Sequence, residues 1–300
     1  MLTPINQLYK DVFVKVAVCS LSSFFDIRSL TIVMNESNRK KIVSVLKQSL
    51  GVKFILFPEY TYASELEELY QNHSNQNNCI IIGGSGLESN GENFYAFAPV
   101  FIPNQPLLKV YKRNITPFEE SFSGSKIIGY PREIQRVITV PVKKGLGVTI
   151  SVYVCLDFMR ENKPKERSHI IFVPQYERKP QSFIAKANDI SREDKIFVLG
   201  ANNSEHRSIG FVPNSNSQVR DGLIQTEWRK KGYPPDEEVQ NDEHNTISYD
   251  ITGEKLITFY LNLRNPIADQ FTSTSPHGQT RLNFKPLKKL IYDSVKNKWY

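Results

Sequence analysis

The chain is short of the residues that anchor many small catalytic and structural sites. Only three of its 300 residues are cysteine, Cys19, Cys79 and Cys155. They form no CxxC pair, and their odd number argues against a disulfide framework. The five histidines (His73, His169, His206, His244 and His277) are scattered without the spacing of a metal site. No apolar run approaches the roughly 18 residues of a membrane-spanning helix. The opening residues, MLTPINQLYKDVF, lack the basic start, apolar core and cleavage site of a signal peptide. These absences lead to the expectation of a reducing, cytoplasmic setting. There is no G-x-S-x-G elbow for a serine nucleophile. The GGSG at 83–86 lacks the GK[ST] of a phosphate loop and reads as a tight turn. No internal repeat marks a solenoid.

What is present is an ordinary globular balance, 40% hydrophobic and 23% charged. The length is long for one domain and short for two. The net charge of +7 is uneven. Residues 281–300 hold Arg281, Lys285, Lys288, Lys289, Lys296 and Lys298 against Asp293 alone, so most of the excess lies in the tail. Such a tail could attract nucleic acid or an acidic partner. A solvated helix face is the commoner fate of such a run.

Apolar runs alternate with helical patterns. VKVAVCSL (14–21), FILFPEY (54–60) and CIIIGGSG (79–86) read as strands. Residues 36–50 read as a helix with Ile42, Val45, Leu46 and Leu50 on one face, stopped by Gly51. Residues 62–75 read as a second helix with Leu66, Leu69 and Tyr70 inward. FYAFAPVFIP (94–103) and PLLKVYKR (106–113) suggest a hairpin around Asn104-Gln105. VTISVYVCL (148–156), HIIFVPQY (169–176) and KIFVLGANN (195–203) are strand-like, and Phe183, Ala187 and Ile190 mark a helix between the last two. This alternation predicts an α/β domain of mixed sheet. An α-β-β-α sandwich of two mixed sheets with outer helices fits, and periodicity alone does not separate it from a doubly wound single sheet. The predicted domain covers 1–265, with a long polar loop or insertion at 213–245. Strand character returns at NTISYDI and EKLITFYLNL. A basic C-terminal extension follows at 266–300, a second loop leading into an amphipathic helix carrying Leu287, Leu290, Ile291 and Val295.

Three residues at the ends of hydrophobic runs carry the candidate chemistry. Glu59 closes FILFPEY, Lys112 lies in KVYKRNITPFEE, and Cys155 closes VTISVYVCLDF. A thiol can attack a carbonyl, a buried carboxylate can take its proton, and an ammonium can hold the charge that develops on oxygen. Each has a bland reading too. A free cysteine is more often an inert core residue, and a strand-end glutamate or lysine more often faces solvent.

Their order and contexts resemble the nitrilase superfamily of carbon–nitrogen hydrolases. FILFPEY is similar to that family's glutamate motif, KVYKRNITPFEE to its lysine motif and GVTISVYVCLDF to its cysteine motif. VKVAVCSL, CIIIGGSG with NFYAFAPVFIPN, HIIFVPQY and KANDISREDKIFVLGANN resemble neighbouring segments, so the likeness runs from about residue 14 to 212. The resemblance implies the α-β-β-α sandwich, a homodimer and no cofactor or metal. It implies Cys155 as nucleophile, Glu59 as general base and acid, and Lys112 as stabiliser of the tetrahedral intermediate. A second glutamate often follows the lysine, and Glu120 has the chosen spacing, with Glu119 as the alternative. Leu156, Asp157, Tyr60 and Gln175, beside the motifs, are the expected substrate contacts. The implied function is cysteine-dependent hydrolysis of a non-peptide C–N bond in an amide, carbamoyl compound or nitrile through a thioester. The alternative is a nitrilase-fold binding or regulatory module with weak or no catalysis, working in a larger or nucleic-acid-associated assembly.

Overall fold

Alternation along the strands decides the architecture. The computed structural model describes residues 3–4, 12–123, 126–143, 146–161, 168–177, 181–194, 196–203, 209–211, 239–241, 247–249, 254–263, 284–293, 296 and 298–299. In chain order the elements begin β1 (Thr3–Pro4), β2 (Phe13–Ser20), β3 (Phe25–Asp26), β4 (Thr31–Ile32), α1 (Glu36–Gln48) and β5 (Phe54–Leu56). They continue with α2 (Glu67–Asn77), β6 (Ile80–Ile82), β7 (Gly86–Asn90), β8 (Asn93–Phe101), β9 (Leu108–Tyr111) and α3 (Pro117–Ser123). Next come β10 (Val137–Lys143), β11 (Leu146–Val152), α4 (Leu156–Arg160), β12 (Ile170–Pro174), α5 (Gln181–Asp194) and β13 (Phe197–Ala201). The last are β14 (Ile209–Phe211), β15 (Val239–Asn241), β16 (Ile247–Tyr249), β17 (Lys255–Asn262), β18 (Phe284–Asp293) and β19 (Lys298–Trp299).

The strands build two large mixed sheets. One runs β19-β18-β17-β2-β5-β6-β8-β7, with β9 on β8. The other runs β1-β11-β12-β13-β14, with β10 on β11. The central pairs β2–β5–β6 and β11–β12–β13 are parallel. Successive side chains point to opposite faces, and here both faces are apolar. Val16 and Val18, Phe54 and Leu56, and Ile80 and Ile82 meet Ile150, Val152, Phe172 and Leu199 of the other sheet in one core. The intervening Ala17, Cys19, Ile55, Phe57 and Ile81 pack on Ile42, Val45 and Leu46 of α1 and Tyr70 of α2. On the far side, Ile171, Val173 and Val198 pack on Phe158 of α4 and on Phe183, Ala187 and Ile190 of α5. Three apolar interfaces separate four layers, so the order is α-β-β-α and not a single sheet between helices.

Local chemistry explains the helix limits. The Asn35 side chain accepts the Asn38 N–H at 2.8 Å and caps α1. The helix ends at Gln48, two residues sooner than its apolar pattern suggests. Leu50 therefore falls in the turn and is 58% exposed instead of joining the core. Among the strands that the apolar runs do not mark are β7 and β10. The first is joined to β8 by Gly91-Glu92, where Gly91 takes φ +74° for the hairpin turn.

The C-terminal stretch differs from expectation. Its segment 284–293 is a strand, not an amphipathic helix, and pairs antiparallel with β17 from Leu261↔Phe284 to Lys255↔Ile291. The register shifts opposite Thr258/Phe259, beside Pro286, which has no N–H for a regular ladder. The spacing of Leu287, Leu290 and Ile291 suits a helix, but β17 offers an open row of backbone donors and acceptors that a helix could not use. This part of the expected extension thus belongs to the larger sheet. Val295 and the loop at 266–280 lie outside the described residues. So does the polar stretch 213–245, except β15, which pairs with β16. Among the described residues, no helix is long and apolar enough to cross a membrane.

The contrast between Leu46 and Leu50 is measurable. Leu46→Ala, emptying a site against β2 and β5, should cost about 2–5 kcal/mol in urea unfolding, whereas Leu50→Ala should stay within about 0.5 kcal/mol of the parent.

Candidate active site

The chain after β5 turns sharply at Phe57-Pro58-Glu59-Tyr60. Tyr60 sits at φ +60°, and its N–H donates to the buried Ser85 Oγ at 3.0 Å. The Thr61 hydroxyl donates to the Pro58 carbonyl at 2.7 Å. Gly84 lies against this turn at φ +84°. A Cβ there would come within 2.3 Å of the Pro58 carbonyl and 2.4 Å of Thr61 Oγ1. The GGSG segment is therefore the floor that lets the glutamate turn close up. The turn puts Glu59 inside, 1% exposed.

Lys112 follows β9. Its N–H donates to the Ala96 carbonyl at 2.8 Å, and its carbonyl accepts the Tyr130 N–H at 3.0 Å. The side chain points inward, also 1% exposed. Its Nζ donates to Glu59 Oε1 at 2.9 Å and to Glu119 Oε1 and Oε2 at 2.8 and 2.9 Å.

Glu119 is placed by the start of α3. Thr116 is the N-cap, Pro117 the first helical residue and Glu119 the third. The Glu119 N–H donates to Thr116 Oγ1 at 3.1 Å, and the Glu119 carboxylate accepts the Thr116 N–H and hydroxyl at 2.7 Å each. This reciprocal pair is a capping box, with proline at its favoured position. The same carboxylate accepts the Tyr60 hydroxyl. The inward glutamate is thus Glu119. Glu120, the residue chosen from spacing, is exposed on the next helical position. A helix turns about 100° per residue, so only one of the adjacent pair can face the lysine. The signal was in the sequence, because TPFE is the capping-box pattern and selects the first glutamate.

Cys155 stands between β11 and α4. Its N–H donates to the Pro174 carbonyl at 2.9 Å, and its backbone takes φ +46°, ψ −111°. That conformation is costly for a side chain with a Cβ and is held by the surrounding contacts. The Glu59 carboxylate and the Tyr176 N–H both face the thiol and act on its ionisation in opposite directions. The end of β12 serves both residues, since the Gln175 carbonyl accepts the Glu59 N–H at 3.3 Å. That strand end is itself held by the buried Asn202, whose Oδ1 accepts the Glu177 N–H and whose Nδ2 donates to the Glu177 carbonyl, each at 2.9 Å.

The structure therefore brings together Glu59, Lys112, Cys155 and Tyr60, with Gln175 present through its backbone. Leu156 opens α4 directly after the cysteine. Asp157 is not a substrate contact. It is fully buried, and its carboxylate accepts from the Arg113 and Asn114 N–H groups, the Asn114 side chain and Arg136. The sequence reading missed Tyr176, Asn202 and Arg136. It also missed an aromatic chain around the site. Phe25 stacks on Tyr60 at 4.7 Å, Tyr176 meets Tyr60 edge-on at 5.9 Å, and Phe118 stacks on Tyr176 at 5.6 Å.

Two carboxylates share one ammonium here, and their surroundings divide the charge unequally. Burial pushes the Glu59 carboxyl up to about 7, with Lys112 opposing and Glu119 adding to the rise. Burial acts the same way on Glu119, but Lys112, Tyr60 and Thr116 outweigh it and hold that carboxyl below its ordinary value. Burial would lower the Lys112 ammonium, but Glu119 and then Glu59 hold it well above the usual lysine range. The Cys155 thiol is pushed well up by burial and by Glu59, against the pull of Lys112 and the Tyr176 N–H. Glu119 is thus biased toward the anion, Lys112 toward the cation, and Glu59 is the member poised to exchange a proton near neutrality.

No family model matches the sequence, and no curated protein matches it. Solved structures do. A CN-hydrolase superfamily protein of Xanthomonas campestris is 12% identical, over 85% of this chain and 84% of that one, with a TM-score of 0.47. A nitrilase-superfamily amidase of Nesterenkonia is 13% identical, over 66% of this chain and 83% of that one, with a TM-score of 0.48. A glutamine-dependent NAD+ synthetase of Acinetobacter baumannii is 14% identical with a TM-score of 0.51, covering 84% of this chain but 46% of that one. At such identities the likeness shows the fold alone, and that fold is the one implied by the resemblance of the sequence motifs to the nitrilase superfamily.

Proposed function

We propose that this chain is a cysteine-dependent hydrolase of the nitrilase superfamily, acting on a non-peptide C–N bond in an amide, carbamoyl compound or nitrile. The observation that carries this reading is a buried cluster in which the Cys155 thiol faces the Glu59 carboxylate, whose Oε1 accepts from the Lys112 ammonium at 2.9 Å.

On an amide, the Cys155 sulfur bonds to the carbonyl carbon while its proton passes to Glu59. The thiol is protonated at rest, so proton transfer accompanies attack. The carbonyl electron pair moves to oxygen, where the Lys112 ammonium and the Leu156 N–H stabilise the new charge. The intermediate collapses, the C–N bond breaks, and the amine leaves with the proton from Glu59. A thioester remains on Cys155. Water then attacks the thioester and gives a proton to Glu59. The C–S bond breaks, the acid leaves, and Glu59 returns the proton to sulfur. Glu119 takes no proton in this cycle and keeps Lys112 charged and in place. The three cysteines, buried and unpaired, support a reducing, cytoplasmic setting.

Incubation with a mixed amide and nitrile panel should leave an acyl adduct on Cys155, read by mass, and Cys155→Ala should lose adduct and turnover while keeping its fold. An unreactive Cys155 across the panel, or full turnover in the alanine variant, would sink the proposal. The base must be ionised, so kcat/KM should rise with pH through a midpoint of about 7 and level off at higher pH. Glu59→Gln should abolish that limb and cost about 10²–10⁴-fold in rate. Glu119→Gln removes a negative neighbour of Glu59 and leaves Lys112 to it alone, so the limb should move to lower pH. Glu120→Gln should leave the profile unchanged.

A further inference from the structure

We propose that Asp157 and Arg136 form a positioning pair that sets the Lys112 ammonium against the Cys155 sulfur. The inference rests on the reading of Cys155 as a nucleophile and concerns how its two partners are held in register.

The contacts bracket both residues. Asp157 stands two positions after Cys155 and is fully buried. Its Oδ1 accepts the Asn114 N–H at 2.7 Å and the Asn114 side-chain amide at 2.8 Å. Its Oδ2 accepts the Arg113 N–H at 2.9 Å and Arg136 Nη2 at 2.7 Å. Arg136 reaches the Tyr111 carbonyl through Nη1 at 3.4 Å and Glu161 through Nη2. Its own carbonyl accepts the Val152 N–H at 3.0 Å, and its guanidinium lies 5.3 Å from the centre of the Tyr153 ring. Residues 111, 113 and 114 around Lys112 are thus tied to residues 152, 153 and 157 around Cys155. Gly129 closes the Lys112 loop from the other side, since a Cβ there would come within 2.1 Å of the Arg113 carbonyl.

None of the hydrogen bonds made by Asp157 or Arg136 goes to Glu59, to the Lys112 ammonium or to the Cys155 sulfur. The pair acts through backbone, which makes it a positioning device and not a catalytic group. A buried ion pair gives little net stability over well-packed apolar residues, whereas the directional bonds it makes impose a geometry that apolar contacts do not. An error of about 1 Å between reacting groups can cost about 10²-fold in rate.

The charged and titratable groups facing the Cys155 thiol are Glu59 and Tyr60 from the turn after β5, Lys112 after β9 and Glu119 on α3. Of these charged groups Lys112 alone favours the thiolate, with the Tyr176 N–H beside it, so displacing the lysine moves thiol ionisation to higher pH. The test is the rate at which iodoacetamide alkylates Cys155 in the full chain, followed across pH by mass spectrometry. In Asp157→Asn the midpoint of the profile should rise by about one pH unit, and the rate near neutrality should fall about tenfold. Asn114→Ala removes only the amide contact at a half-buried site and should shift the profile the same way by less. Leu46→Ala, destabilised far from the site, should keep the parent midpoint. A parent-like profile in folded Asp157→Asn overturns the inference. So does a parent-like profile in Asn114→Ala if the first variant does not fold, or an equal shift in Leu46→Ala. Failure of the parent itself to label selectively at Cys155 overturns the nucleophile reading instead.

Discussion

Lys112 holds the site together by serving two buried carboxylates at once. Enclosing charge away from water is expensive, and opposite charges repay the cost only when their remaining bonds are satisfied. Glu119 is fully satisfied, with donors from Lys112, Tyr60 and Thr116 on its two oxygens. Glu59 shares the same ammonium but faces a thiol that can give up its proton. The difference in hydrogen bonding turns two chemically identical groups into a structural anion and a proton carrier. It also explains why the start of α3 and the active centre are one unit, since a single carboxylate caps the helix and anchors the lysine.

The site lies on the seam between the two sheets. Glu59 follows a strand of the nine-stranded sheet and Cys155 a strand of the six-stranded one. They meet because the end of β12 bonds both, through the Pro174 carbonyl, the Gln175 carbonyl and the Tyr176 N–H. A bridge between Leu21 and Asn203 ties the sheets together. Tyr60 and Cys155 both hold positive φ there. Such conformations persist only where several independent contacts over-determine them. Pro58 packed on Gly84 and the Asn202 clamp on Glu177 supply that constraint.

Much of this was legible beforehand for a specific reason. A central strand buried on both faces reads as a continuous apolar run, so FILF, III and IIFV announced themselves. The residues just after those runs had to be polar groups brought to strand ends, which made Glu59 and Cys155 visible. The amphipathic face of α5 was equally plain, as Phe183, Ala187 and Ile190 repeat with the helix. The inward position of Glu119 is local as well, because the capping-box pattern Thr116-Pro117-Phe118-Glu119 turns that carboxylate back to the helix start and leaves Glu120 outside.

Other features depended on partners distant in the chain. Asp157 looked like a site residue from its place beside Cys155, yet its carboxylate turns to Arg113, Asn114 and Arg136, 21 or more residues away. The segment 284–293 carries helix-like spacing but became a strand because β17 presented an unpaired edge. Two sheets instead of one followed from which apolar faces met, and every face was apolar enough to meet any other. The sequence by itself determined the elements whose energetics are local: turns, caps, alternating strands and the chemical groups at their ends. The tertiary structure decided which sheet edges paired, which apolar faces met and where Asp157 pointed. Those choices are made by bonds between segments that the order of residues brings close only after the chain has folded.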